Sequence, residues 1–99
     1  MTPDAPQSEA TLEARLVGSV RAAGGEAYKW SSPARRGVPD RLCVFPGGRV
    51  VAVELKGPRG RAHPLQQRAM QRLAALGLPV ALVRSVADIE QMLQEIAHA

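Results

Sequence analysis

Hydrophobic residues recur along the chain with two different periods, and these periods predict its helices and strands. Spacings of three and four residues indicate helices from Ser8 to about residue 23, from Pro64 to Leu76, and from Ser85 onward. Shorter apolar runs indicate strands near residues 26–30, 40–45, 50–56 and 79–83. The predicted order is therefore α-β-β-β-α-β-α.

The two central strands are predicted to form a hairpin around Pro46-Gly47-Gly48. Apart from charged ends, both strands are apolar on both faces, which suits a sheet covered by helices on both sides. We expect an α/β fold with one domain over residues 8–99, preceded by a loose tail over residues 1–7.

Composition excludes several classes of function and indicates the cellular compartment. Aromatic residues make up 3% of the 99 residues, which argues against a base-stacking platform for single strands. Cys43 is the single cysteine, so a disulfide scaffold and a cysteine-rich zinc site are both excluded. No stretch is long and apolar enough for a signal peptide or a membrane span. We expect a protein of the cytoplasm.

Positive charge is concentrated in the middle of the chain. The net charge is +4, and nine of the thirteen Lys and Arg residues lie between residues 35 and 72, together with two acids. Such a segment favours a polyanionic partner, most often nucleic acid. The alternative is a solvated arginine-rich surface with no partner.

Three charges interrupt the ends of the hairpin strands. Because side chains two positions apart share a face of a strand, Glu54 and Lys56 point the same way. If Pro46-Gly47-Gly48 is a three-residue loop, Asp40 lies directly opposite Glu54, with Cβ atoms about 5 Å apart. A bulge or a two-residue loop would shift this register by one residue.

Two carboxylates at this distance repel each other, and each raises the pKa of the other. A divalent cation such as Mg²⁺ or Mn²⁺ resolves the conflict, and it can polarise a phosphate and activate a water. Lys56 could orient that water or stabilise the developing charge. Alone, Pro39-Asp40 is a common turn signal and Glu-x-Lys a common edge pattern. Together, inside a basic segment, they favour metal-assisted phosphodiester hydrolysis.

Two further polar residues share a helical stripe with apolar ones. Glu13 has this relation to the apolar residues of the first predicted helix, and Gln66 has it to those of the second. A polar group on a buried stripe needs a partner. The alternative for each is a boundary residue that reaches solvent.

The blocks RRGVPDRL and VELK, with LQ downstream, resemble those of a known family. Pro39-Asp40 followed by Glu54-Leu55-Lys56 is similar to the PD-(D/E)XK nuclease signature. The wider pattern, over roughly residues 9 to 95, resembles the VRR-NUC domain in its stand-alone phage and bacterial form. Ala34 stands where the family pattern leads us to expect glycine, a departure that removes no ligand.

The resemblance implies roles for the residues of the hairpin. Asp40, Glu54 and the backbone carbonyl of Leu55 would bind the metal, and Lys56 would be the catalytic lysine. It also implies that Glu13 serves a second metal or the outer shell of the site, and that Gln66 matches the glutamine after the ELK motif. The implied fold is restriction-endonuclease-like, with a mixed sheet flanked by helices.

We therefore expect a Mg²⁺- or Mn²⁺-dependent, structure-selective DNA endonuclease, similar to Holliday-junction resolvases and acting as a homodimer on branched DNA. The basic loops should contact DNA phosphates through Arg35, Arg36, Arg59 and Arg61. A bacterial or phage-infected cytoplasm is the expected location. Two alternatives stay open: a catalytically silent DNA-binding accessory protein, and an endoribonuclease on structured RNA.

Overall fold

The computed structural model describes residues 6 to 98, and there it confirms the predicted order of elements. Residues 1–5 of the predicted N-terminal tail lie outside the described residues. The elements are α1 (Glu9–Ala22), β1 (Glu26–Lys29), β2 (Arg41–Val44), β3 (Val50–Leu55), α2 (Pro64–Ala75), β4 (Val80–Val83) and α3 (Val86–Ala97). A 3₁₀ turn, Pro46–Gly48, joins β2 to β3.

Each helix begins at a side chain that accepts a hydrogen bond from the first turn. The hydroxyl of Ser8 caps α1, and that of Ser85 accepts the N–H of Asp88 at 3.1 Å at the start of α3. His63 caps α2 through Nδ1, and Pro64 is the first helical residue. Proline suits this position because an N–H there would have no acceptor inside the helix, so its absence costs no hydrogen bond. Local chemistry therefore sets where the helices start.

The four strands form one mixed sheet in the order β1-β2-β3-β4. The pairs β1–β2 and β2–β3 are antiparallel, and β3–β4 is parallel, with α2 in the crossover between them. β1 and β4 are therefore the edge strands, and β3 is an inner strand that both β2 and β4 contact.

The register of the central hairpin is the predicted one. Arg41 pairs with Val53, Val44 pairs with Val50, and the N–H of Phe45 donates to the carbonyl of Arg49 at 2.8 Å. Gly47 has a φ of 85° and Gly48 a φ of 77°, a region that L side chains avoid. The three-residue loop thus requires its glycines and places residue 40 opposite residue 54.

One face of the sheet, the core face, carries the hydrophobic core. Helices α1 and α3 cover it, and their side chains pack on those of the strands. The fully or nearly fully buried residues of this core include Leu12, Leu16, Val20, Cys43, Val51, Val53, Leu55, Val83, Ile89 and Met92. Burial raises the pKa of the Cys43 thiol to about 11, so this cysteine is an inert core residue.

The opposite face of the sheet, the second face, is only partly covered. It carries Leu42, Ala52, Glu54 and Leu82, which alternate with the core residues. Helix α2 packs along β4 on this side and has no buried residue, and Leu82 is 38% exposed. One helix about 10 Å wide cannot cover four strands spaced about 4.8 Å apart. Cover by helices is thus complete on one face and partial on the other.

None of the helices between residues 6 and 98 is long and apolar enough to cross a membrane.

Leu16→Ala should lower the free energy of unfolding by about 2–5 kcal/mol, because Leu16 is fully buried between α1 and the sheet. The matched control is Leu76→Ala at the end of α2, where the side chain is 65% exposed and the change should be small. Urea denaturation of both variants measures the difference. Equal destabilisation would contradict the assignment of the core to this face.

Candidate active site

The side chains of Asp40 and Glu54 meet where the β2–β3 ladder ends. Asp40 lies one residue before β2, opposite Glu54 in the same register. Its backbone N–H donates to Oε1 of Glu54 at 3.2 Å. In return, Oδ2 of Asp40 accepts the N–H of Leu55 at 2.8 Å. Each carboxylate is therefore held by the main chain of the strand that carries the other.

Pro39 explains why the Leu55 carbonyl is available as a ligand. Continuing the hairpin register by one residue places buried Pro39 opposite Leu55, at a position where antiparallel partners exchange two hydrogen bonds. Proline has no N–H to donate to that carbonyl. The Leu55 N–H has already turned to Asp40. The Pro39-Asp40 dipeptide thus ends the ladder and leaves the Leu55 carbonyl without an N–H donor from residue 39.

Glu54 is fully buried, and one of its oxygens lacks a hydrogen bond. Oε2 lies 3.1 Å from Nζ of Lys56, an ion-pair contact without the alignment of a hydrogen bond. Burial raises the pKa of the Glu54 carboxyl, the nearby Lys56 ammonium opposes this rise, and the charge of Asp40 adds to it. A buried carboxylate beside a second acid is costly, and the single Lys56 ammonium does not neutralise both negative charges.

The donor set fits a hard divalent cation. Between residues 6 and 98, no three His, Cys, Asp or Glu side chains are grouped closely enough to hold a metal. A cation here would therefore take the carboxylates of Asp40 and Glu54, the Leu55 carbonyl, and water. Mg²⁺ suits such a site because it binds through one or two carboxylates and keeps several waters.

Lys56 is held beside the carboxylates by the loop that follows it. Its side chain is 16% exposed. A Cβ added to Gly60 would lie 3.3 Å from Cδ of Lys56, so the loop backbone packs on the lysine stem. The absence of a side chain at Gly60 thus permits a close packing that limits where the ammonium can go.

Glu13 lies at the other side of the sheet and binds Arg41. Its Oε2 accepts from Nε of Arg41 at 2.9 Å, and the same guanidinium donates to the carbonyl of Ala27 at 3.0 Å. Arg41 follows Asp40 directly, but its side chain points to the core face, where α1 lies. The predicted role of Glu13 near the metal stays a prediction.

Gln66 caps helix α2. Its Oε1 accepts the N–H of His63 at 2.9 Å, which completes a capping box with the His63 side chain. The stripe predicted for α2 is its half-buried side, while the other residues of the helix are exposed; the stripe comprises Gln66, Ala69, Met70 and Leu73. The matching of Gln66 to the family glutamine stays a prediction.

The two basic loops meet at the start of α2. Gly37 has a φ of 84°, and a Cβ there would lie 2.7 Å from the carbonyl oxygen of Leu65 in the first turn. The loop 31–39 is therefore packed directly on α2, while the loop 57–63 leads into it. All four arginines predicted to contact nucleic acid are exposed on these loops: Arg35, Arg36, Arg59 and Arg61.

Sequence reasoning missed Arg41, Pro39 and Gly37 as parts of this arrangement. One signal was present for Arg41, since strand alternation places its charge on the core face, where it needs an acid. The contact that requires glycine at position 37 joins segments far apart in sequence, and no local pattern reveals it.

Comparisons with known proteins agree with this geometry. A profile of the VRR-NUC domain matches residues 7–87. This protein belongs to the VRR-NUC domain family. A solved structure described as "VRR_NUC domain" is 28% identical, with a TM-score of 0.80 over 87% of this chain and 94% of that one. The predicted family and fold class are confirmed.

A phage relative of this VRR-NUC protein is also similar over most of its length. "Putative nuclease p44" of Acyrthosiphon pisum secondary endosymbiont phage 1 is 48% identical over 77 residues, which is 78% of this chain and 83% of the relative. The VRR-NUC protein is accordingly a nuclease, and nucleic acid is its substrate class.

In metal-free buffer, the free energy of unfolding of the VRR-NUC protein should decrease as the pH rises from 4.5 toward neutrality. Burial raises the pKa of Glu54 above its ordinary value of 4.5, so the folded protein holds a proton that the unfolded chain has released. Glutamine does not ionise, so the free energy of unfolding of Glu54→Gln should decrease less over this pH range. Urea denaturation with EDTA at several pH values measures both slopes, and equal slopes would contradict the buried carboxylate.

Proposed function

We propose that this VRR-NUC protein is a Mg²⁺- or Mn²⁺-dependent endonuclease that acts on branched DNA. One observation carries the metal dependence: the buried carboxylate of Glu54 stands opposite a second acid, Asp40, and one ammonium, that of Lys56, faces this pair. A purely structural ion pair between Glu54 and Lys56 would not explain why Asp40 stands beside it.

Asp40, Glu54 and the Leu55 carbonyl would hold the cation. When bound, it supplies charge for a phosphate oxygen and lowers the pKa of a coordinated water. The protein's own part is to fix these three oxygens by the paired hydrogen bonds between Asp40, Glu54 and Leu55. Preorganised ligands of this kind do not have to reorganise during the reaction.

Lys56 would serve the reacting phosphate directly. Its ammonium lies 3.1 Å from Oε2 of Glu54 and carries three donors, which can serve a water and a phosphate oxygen. As negative charge grows on the phosphate, a fixed ammonium stabilises the transition state more than the ground state. The packing of Gly60 on the lysine stem supports this fixed position.

The substrate proposal rests on charge and on surface. The exposed arginines at 35, 36, 59 and 61 would bind phosphates, which gives affinity without sequence preference. The aromatic share of 3% gives little means of stacking along a single strand. Paired or branched DNA, recognised through its backbone, suits such a surface.

A homodimer would give the protein two sites for one branched substrate. Each chain carries one pair of carboxylates, whereas resolving a four-way junction requires two opposed cuts. A C₂ dimer matches the two-fold symmetry of the junction. The edge strand β4, with Pro79 before it, and the exposed sides of α1 and α3 are the proposed interface. We place this dimer in the cytoplasm of a bacterium or of a phage-infected host.

The deciding experiment compares substrates and metals in one assay. Labelled four-way junction, flap, duplex and single-stranded DNA, and a structured RNA, are incubated with Mg²⁺, Mn²⁺ or EDTA. We expect junction cleavage with either metal and none with EDTA. Cleavage in EDTA would contradict metal dependence, and preferential cleavage of RNA would make the protein an endoribonuclease.

Asp40→Ala and Glu54→Ala should abolish cleavage, because each removes a proposed metal ligand. Lys56→Ala should lower turnover by roughly 10²–10⁴-fold with the fold intact. Lys56→Arg should not restore it, since a planar guanidinium cannot replace a compact ammonium. Lys29→Ala, at an exposed lysine of β1, is the matched control. Single-turnover rates measure all five variants, and full activity of Asp40→Ala would exclude the mechanism.

Mixtures of wild-type and Glu54→Ala chains test the dimer. Heterodimers carry one working site, so they should nick one strand of a four-way junction without resolving it. Denaturing and native gels of a plasmid-borne junction separate nicked from resolved products, and light scattering at micromolar concentration gives the mass. A monomer by light scattering, with unpaired cuts from the wild type, would contradict the dimer and leave the nuclease assignment unchanged.

A further inference from the structure

An open cleft of about 720 Å³ lies between the loop 57–63, α2 and β4. Three arginines line it, Arg59, Arg61 and Arg84, and none of its nine lining residues is acidic. Met70 from α2 and Leu82 from β4 form an apolar part of the wall. The cleft therefore combines positive charge with an apolar surface, which a phosphate site alone does not need.

The cleft adjoins the candidate active site. Leu82 is the register partner of Glu54 on the neighbouring strand, so the two side chains lie side by side on the second face. Gly60, another lining residue, packs on the stem of Lys56. A ligand in this cleft would thus lie next to a phosphate bound at the lysine and the carboxylates.

One wall of the cleft is held in place by Arg84. Its guanidinium donates to the carbonyl of Gly60 across the cleft, and its backbone N–H donates to Oδ2 of Asp88 at 2.9 Å. The side chain is half-buried, whereas Arg59 and Arg61 are exposed on the loop. Arg84 therefore anchors the basic wall between the loop and β4. The exposed side chains of Arg59 and Arg61 can reach a ligand in the cleft.

We infer that this cleft binds one unpaired nucleotide of the substrate, beside the phosphate that is cut. Arg59 and Arg61 bind the phosphate of that nucleotide, and its base lies against Met70 and Leu82. The volume is within the range of about 300–1,000 Å³ typical of sites that enclose small ligands. The position relative to the cut rests on the proposed function; the binding itself does not.

An unpaired nucleotide fits the chemistry better than a duplex does. The apolar wall can contact the face of a base only when that base has left its stack. Duplex binding would use the arginines and would not contact the exposed part of the apolar wall that Met70 and Leu82 form. Because unstacking costs least at junctions, flaps and single-stranded ends, the cleft gives the nuclease a physical means to prefer interrupted DNA.

Binding of small probes in EDTA tests the inference without any cleavage. Deoxyadenosine monophosphate, inorganic phosphate and deoxyadenosine are titrated into the 99-residue protein and followed by amide NMR shifts. We expect the monophosphate to bind more tightly than phosphate or nucleoside, with the largest shifts at the loop 57–63 and β4. Equal affinity for phosphate and the monophosphate, or shifts confined to the loop 31–39, would overturn the inference.

Two variants separate the base contact from the phosphate contact. Leu82→Ala should weaken binding of the monophosphate by about fivefold and leave binding of phosphate unchanged. The double variant Arg59→Gln/Arg61→Gln should weaken binding of both. Leu76→Ala and Arg72→Gln, exposed residues outside the cleft, are the matched controls. Unchanged monophosphate affinity in Leu82→Ala, with a normal melting temperature, would contradict the base contact.

A cleavage assay then asks whether the cleft serves the reaction. Flap substrates with a single abasic position near the cut should show a raised KM with wild-type protein, and Leu82→Ala should lose the difference between normal and abasic DNA. If no DNA is cut at all, the proposed function fails while the NMR titration still decides this inference. If DNA is cut and abasic substitution has no effect at any position, the inference fails while the nuclease stands.

Discussion

The turn Pro46–Gly48 sets the register of β2 against β3, and the candidate site depends on that register. With three residues in the loop, Asp40 lies opposite Glu54 and Pro39 lies opposite Leu55. A slip of one residue would send the two carboxylates to opposite faces of the sheet. It would also give the Leu55 carbonyl a partner with an N–H. A short glycine turn, which ends six residues before Glu54, therefore holds the proposed ligands together.

The two faces of the sheet have different roles. Helices α1 and α3 cover the core face with a continuous apolar cluster, which supplies most of the stability of so small a domain. The second face carries a buried carboxylate, an ammonium and partly exposed apolar side chains. A buried charge opposes folding, so the site can exist only because the opposite face stabilises the sheet beneath it. The candidate active site and the open cleft lie on the face that contributes least to the core.

The parts that could be predicted are those that local patterns determine. Periodicity located every helix and strand, and the Pro-Gly-Gly loop together with strand alternation brought Asp40, Glu54 and Lys56 to one place. Periodicity also shows which residues share a helical face, but not how fully that face is covered, and the predicted stripe of Gln66, Ala69, Met70 and Leu73 is only half-buried. The ion pair between Glu13 and Arg41 joins residues 28 positions apart, and the packing of α1 on the sheet decides it. Neither length nor composition carries that information.

Pro39 contributes to the candidate site because its backbone nitrogen carries no hydrogen. Any other amino acid at position 39 would have a backbone N–H. That N–H could donate to the Leu55 carbonyl and extend the β2–β3 ladder by one hydrogen bond. One proposed ligand thus belongs to the main chain, where replacing side chains in β3 one at a time cannot remove it. A scan of the hairpin by alanine would report Leu55 as a core residue and nothing more. The same scan would register Pro39→Ala as a gain of a hydrogen bond, although this bond would form at the oxygen proposed to bind the cation.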